Sequence, residues 1–414
     1  MIRTGTMNIH KRISAALAAA FIISGFFMPV AFAAPTPTTL TIISPNGTEI
    51  WSGTHNITWS SVGGVLGDEV TLAWSTDNFV SNSNIIAENI PYSAGSYAWN
   101  TATVADGANY RVRVIAESNN AAFGTSNANF TVDNTAPVIS NVTVPNTTMK
   151  IGDVVTATIT VGSDAGVTYS LVSGAIDGFT LTNLIRVNPT TYTATFTVVS
   201  GGDDVAAGSN IPVANLILAD IADIPNQSTA YATAISQGAD PIDANVPILS
   251  SVSIASNNAN TAFAKVGDTV AVSFTANEDL AEGGDKPVVT IAGNSAVVSG
   301  SGAAWTATYV MAGGEVSGII SFTINFKDVA LNTGTQVVAV TNGSSVTFDK
   351  TAPTIPTANI IGTTIQAADD TIAITFSEPV IAADGTWSAN EVDGITGSVA
   401  GVLTLTNASF GYSG

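Results

Sequence analysis

Apolar residues recur at every second position in a series of short runs along this chain. They include Asn56-Ile57-Thr58-Trp59, Val70 to Trp74, Tyr110 to Ala116, Val154 to Val161, Tyr192 to Val198, Val270 to Thr275, Ile320 to Phe326 and Ile372 to Phe376. Within them, apolar side chains alternate with Thr, Ser, Asn, Ala or Arg. A period of two belongs to a strand with one buried face, because successive side chains point to opposite sides of a sheet. Pro45-Asn46-Gly47, Asp106-Gly107, Gly201-Gly202-Asp203 and Gly283-Gly284 are turn signals that separate the runs. Helical periodicity is not evident after the short Ala-Pro-Thr-Pro-Thr linker at residues 34–38. Many short strands at regular spacing predict β-sandwiches in tandem.

The runs belong to a longer repeat. Asp133-Asn134-Thr135-Ala136-Pro137, Asp243-Ala244-Asn245-Val246-Pro247 and Asp349-Lys350-Thr351-Ala352-Pro353 place their prolines 110 and 106 residues apart. That is the length of one immunoglobulin-like sandwich, and a fixed period of this size marks an array of modules. Internal alignment agrees. Asp268 to Phe274 reappears as Asp370 to Phe376, and Tyr192-Thr193-Ala194-Thr195-Phe196 matches Trp305-Thr306-Ala307-Thr308-Tyr309. Asp220-Ile221-Ala222 matches Asp328-Val329-Ala330 late in each module. The expected fold class is all-β: tandem immunoglobulin-like β-sandwich domains in an extended array. The expected modules are residues 34–134, 135–244, 245–350 and an incomplete one at 351–414. The last lacks counterparts of the aromatic-Thr-Ala-Thr strand and of the Asp-x-Ala loop, which implies a truncated chain.

Residues 1–33 read as a cleaved export signal. Lys11 and Arg12 precede a mostly apolar stretch from Ile13 to Val30, and Ala31-Phe32-Ala33 supplies the small-x-small cleavage pattern. The expected address is secreted or cell-surface, with no membrane span in the mature chain. The whole chain has 11 basic and 31 acidic residues, a net charge of −20, and the signal removes Arg3, Lys11 and Arg12 but no acid. This surplus excludes nucleic acid, whose phosphates need a cationic footprint, and disfavours anionic membranes. It suits divalent cations. Cysteine is absent, so thiolate chemistry, disulfides and Cys-ligated zinc are excluded. Only His10 and His55 exist, and His10 leaves with the signal, which rules out a multi-histidine metal site.

Two resemblances sharpen the reading. Ser44-Pro45-Asn46-Gly47-Thr48-Glu49-Ile50-Trp51, followed by Ile57-Thr58-Trp59, Leu72-Ala73-Trp74-Ser75 and Gly95-Ser96-Tyr97-Ala98-Trp99, resembles a Ser-Thr-rich immunoglobulin-like domain. That family is named for fungal cell-wall glucan-synthesis proteins and is widespread in bacterial surface proteins. From residue 133 onward the chain looks like the immunoglobulin-like repeats of bacterial surface and adhesion proteins. The residues that carry this are the Asp-x-Thr-Ala-Pro junction, the Gly-Asp before the first long strand, Asp328 to Asn332, and Phe376-Ser377-Glu378-Pro379. Both resemblances imply domains that space, link and present, without catalysis. The function expected is that of a stalk, adhesin or surface-layer component. Its partners would be cell-envelope or extracellular surface components, glycans among them. The alternative is a set of accessory or carbohydrate-binding domains of a larger secreted enzyme whose catalytic domain lies beyond residue 414.

Calcium at the module junctions is the sharpest chemical expectation. Calcium takes about six to eight hard oxygen ligands. Each junction supplies an acid, Asp133, Asp243 or Asp349. The following module adds Asp153, Asp268 or Asp370 at its first long strand, and Asp220 or Asp328 in a late loop. Late loops and the first-strand region of a sandwich can approach one pole, so three carboxylates would converge at each hinge. The plainer alternative is that these aspartates make Asx-turns and caps. Among the aromatics, Trp59 and Trp74 read as core, while Trp51 and Trp99 are the best placed to show a face to solvent and stack on carbohydrate. The nine glutamates are scattered, with no carboxylate pair of the kind glycoside hydrolysis requires.

Overall fold

The computed structural model describes residues 37–64, 68–162, 168–238 and 241–352, with 354, 371–375, 377, 395–397 and 402–406. The export signal, Asp370 and the Glu378-Pro379 pair lie outside the described residues. Within those described there are 31 strands, three short 3₁₀ turns and no α-helix. No helix among them is long and apolar enough to cross a membrane. The chain divides into two compact units, one of residues 1–134 with 222–224 and one of 135–221 with 225–414.

The first unit is one sandwich. One sheet joins Pro37–Ser44, Thr54–Gly63 and Ser96–Asn100. The other joins Ile50–Trp51, Phe130–Val132, Gly107–Ala116, Glu69–Ser75 and Asn84–Pro91, with Asn119–Thr125 also paired to Gly107–Ala116. Alternation sets the faces: Tyr110, Val112, Val114 and Ala116 point inward, while Arg111 and Arg113 are half-buried on the outer face. Arg113 lies over the rings of Phe79 and Phe123, 4.0 and 4.5 Å from their centroids, so its stem and charge cover exposed aromatic surface. Leu40, Ile42, Ile57, Trp59, Val70, Leu72 and Phe130 fill the core between the sheets.

The second unit contains two sandwiches of matching topology. In the first of these, Ile139–Thr143, Val154–Val161, Thr191–Thr197 and Thr182–Asn188 form one sheet, and Phe179–Thr180, Ser170–Ile176 and Val213–Ala219 the other. In the second, Leu249–Ser256, Thr269–Ala276, Ala304–Val310 and Val297–Ser301 face Asn294–Ser295, Val288–Ile291 and Phe322–Asn325. Each also closes with a two-residue parallel pair, Met149–Lys150 with Ile242–Asp243 and Phe263–Ala264 with Thr347–Phe348. The matched sequences therefore occupy matched strands. Tyr192, Ala194 and Phe196 are buried in one core, and Trp305 and Ala307 in the other. Full burial of a side chain such as Phe196 contributes roughly 1.5–3 kcal/mol relative to exposure. Beyond them, Thr371–Thr375, Val402–Thr406 and Ile395–Gly397 pair in a three-stranded sheet.

Candidate cation site at the Asp243 junction

The junction between the two sandwiches of the second unit brings three carboxylates together. Asp243 ends the strand Ile242–Asp243, which exits the earlier sandwich. Glu278 follows the strand Thr269–Ala276 of the later one. Its neighbour Asn277 exchanges hydrogen bonds with Ile248, N to the Ile248 carbonyl at 2.9 Å and Oδ1 from the Ile248 N–H at 2.7 Å. That exchange anchors the end of the strand beside the linker. Asp328 opens the late loop, which closes on itself: Asp328 Oδ1 accepts the Asn332 N–H at 2.8 Å, and Asp328 N–H donates to the Asn332 carbonyl at 3.2 Å. One carboxylate oxygen from each of Asp243, Glu278 and Asp328 lies within 4.8 Å of the others.

Electrostatically the cluster is under-compensated. Two ion pairs occur among the described residues, Lys265 with Asp268 and Lys327 with Asp285, and neither involves these three acids. Lys150 turns its ammonium to the Leu331 carbonyl at 3.4 Å. Burial, then the charges of Asp243 and Asp328, push the Glu278 carboxyl up to about 7. Asp243 is raised by burial and by Asp328. Burial raises Asp328 against the pull of Asn332 and the loop N–H groups. Asp328 is 1% exposed, and its Oδ2 is buried with no hydrogen-bond partner. Nearby Asp204 adds negative potential and caps the linker, taking the Ala244 N–H at 2.8 Å and Asn245 Nδ2 at 3.0 Å.

Asn332 joins the two sides. Its Nδ2 donates to Asp243 Oδ1 at 3.0 Å and also approaches the carbonyls of Asp243 and Asn245 at 3.2 and 3.1 Å. Its Oδ1 accepts the Ile151 N–H at 3.0 Å. The residue is 4% exposed.

Of the eight aspartates expected to bind metal, Asp243 and Asp328 meet. Asp268 does not join them. It precedes Thr269–Ala276, whereas the late loop meets that strand's far end; eight extended residues span roughly 26 Å. Asp268 instead pairs with Lys265 at 2.8 Å and accepts the Lys265 N–H and Asn258 Nδ2, as a turn residue does. Asp153 likewise accepts the Lys150 N–H at 3.0 Å, and Asp349 accepts the Thr351 N–H at 2.9 Å. Asp220 is held by its own loop, Oδ1 by the Asn226 N–H and Oδ2 by Asn226 Nδ2 at 2.9 and 2.7 Å. Asp133 is buried in the first unit, its N–H donating to the Trp51 carbonyl. Glu278 is the third carboxylate of the cluster, and the repetition of aspartates along the chain does not single it out. The signal for it in the sequence is an acid directly after the strand that returns to the linker.

The two tryptophans expected to face solvent are core residues. Trp51 is 2% exposed and Trp99 6%. Trp51 pairs in parallel register with Val132, which turns its ring inward between His55, stacked at 4.9 Å and 7°, and Phe130. Trp99 is the inward position of Ser96–Asn100 and meets Trp51 edge-on. Neither offers an indole face for stacking on a sugar.

Fold and site together define a protein of tandem immunoglobulin-like β-sandwich modules with an acidic junction. No family model matches the chain, and no curated protein does. Among solved structures it is similar to a three-domain titin I-band fragment, at 8% identity and a TM-score of 0.30, covering 77% of this chain and 99% of that one. It is similar to FdeC, an Escherichia coli adhesin, at 13% identity and 0.24, covering 76% and 96%. A marsupial T cell receptor is similar at 10% identity and 0.28, covering 73% and 99%. The fold assignment stands on the strand pairing itself.

Proposed function

We propose that this chain is an exported, modular cell-surface protein with a structural or adhesive role, working as a stalk, adhesin or surface-layer component. In this reading the first module is of the Ser-Thr-rich immunoglobulin-like type and the later ones are bacterial immunoglobulin-like repeats. The partners are envelope or extracellular surface components. The observation that carries it is Asn332, in a loop of one sandwich, whose amide holds the exit strand of the preceding sandwich at Asp243 through Nδ2 and its Ile151 N–H through Oδ1. A spacer needs such a fixed joint, since by default domains in one chain move relative to one another. The tandem β-sandwiches, the acidic surplus and the export-signal pattern support the same reading.

The test is protease accessibility on intact cells that make the protein, with a cytoplasmic protein as control. Loss of the full-length band from intact cells is the expected result. Protection until the cells are lysed would overturn the surface assignment.

A further inference from the structure

We infer that Asp243, Glu278 and Asp328 bind one hard divalent cation, of the calcium class, which clamps the junction of the second unit. The inference goes beyond the surface role and is independent of where the chain resides. Three carboxylate oxygens within 4.8 Å of one another repel, and no ammonium or guanidinium among the described residues pairs with them. Leaving a buried carboxylate oxygen without a donor costs more than an ordinary hydrogen bond returns. Asp328 Oδ2 is such an oxygen. A cation bound by all three acids relieves both the repulsion and the unpartnered oxygen.

The donor set selects the ion. It consists of carboxylate oxygens alone, the ligands of calcium and magnesium rather than of zinc or copper. Calcium accepts irregular geometry and bidentate carboxylates, so three acids from two strand ends and a loop suit it better than magnesium's strict octahedron.

Comparison with the preceding module shows why this loop is the one left open. Asp220 and Asn226 stand six residues apart, and the asparagine amide folds back onto Asp220 Oδ2. Asp328 and Asn332 stand four apart, and there the amide donates to Asp243 and the Asn245 carbonyl instead. The amide that covers the oxygen in one loop is committed elsewhere in the other.

The experiment is calorimetric titration of the chelator-stripped full chain with calcium chloride, for wild type, Asp328→Asn, Glu278→Gln and Asp268→Asn. Circular dichroism verifies the fold of each variant. We expect Asp328→Asn and Glu278→Gln each to lose one bound calcium per chain, and Asp268→Asn to bind as wild type. Glu278 is half-buried and outside the strand, so its variant stands in should Asp328→Asn fail to fold. Wild type that binds no calcium, or a folded Glu278→Gln chain with undiminished stoichiometry and affinity, would overturn the inference.

Discussion

Asn332 reaches Asp243 across the junction, Nδ2 to Oδ1 at 3.0 Å, while the same side chain accepts the Ile151 N–H at 3.0 Å. Truncation to alanine removes both, leaving the Ile151 N–H without its asparagine acceptor and Asp243 Oδ1 with the Asn245 N–H at 3.2 Å. Unmaking buried polar pairs costs about 1–3 kcal/mol. Asn332→Ala is therefore expected to lower the denaturant midpoint of the second unit and to speed proteolytic cutting at residues 244–248. An unchanged cutting rate with normal folding would mean that the asparagine does not hold the joint.

Trp51 fills the core of the first sandwich against His55, Phe130 and Trp99. Removing a buried indole costs about 3–5 kcal/mol through lost transfer energy and the cavity left behind. Trp51→Ala should therefore shift the first unit's chemical unfolding strongly while leaving the second unit's transition in place. Differential hydrogen exchange would separate the two. A mild effect, under about 1 kcal/mol, is what an exposed tryptophan would give, and it would contradict the buried position.

Gly124 sits where Asn119–Thr125 passes the strand Pro37–Ser44, and a Cβ there would overlap the Leu40 carbonyl. The obstacle is backbone, which cannot swing aside as a side chain can. Gly124→Ala is expected to destabilise the first sandwich by about 1–3 kcal/mol, the usual cost of overpacking, measured as a fall in its urea midpoint. Gly284, where an added methyl group would meet nothing within 4 Å, should accept alanine at far smaller cost.

The sandwiches are readable in the sequence because alternation is a local signal. Val270, Val272, Phe274 and Ala276 are buried in register, as the period-two pattern in Thr269–Ala276 requires. The parallel pairs are not readable in that way: Ile50–Trp51 and Met149–Lys150 are two residues long and too short to alternate. The inward turn of Trp51 is hidden for that reason. The candidate site is half readable. Junction and late-loop aspartates announce themselves by repetition, but choosing between Asp268 and Glu278 requires knowing which end of an eight-residue strand meets the loop. Composition does not carry that three-dimensional fact.

Asp177 gives a pH dependence whose sign follows from its setting. It occupies the turn between Ser170–Ile176 and Phe179–Thr180, is 8% exposed, and has a buried Oδ2 without a hydrogen-bond partner. Burial, then the charges of Asp203 and Asp204, push its carboxyl from 3.8 up to about 6. Between those values the folded chain holds a proton that the unfolded chain has released. Stability therefore falls as pH rises through this window, and the penalty is complete above about pH 6. An asparagine in place of Asp177 would carry no such penalty. The backbone accepts it, because φ of 49° at Asp177 and 78° at Gly178 suits Asn-Gly as well as Asp-Gly. Asp177→Asn is thus expected to lie close to wild type near pH 4 and to exceed it by about 3 kcal/mol at pH 7. Urea unfolding of both proteins in chelator, at pH 4, 5, 6 and 7, measures the difference. A gap that stays constant across the series would show that Asp177 ionises in the folded chain as it does in the unfolded one.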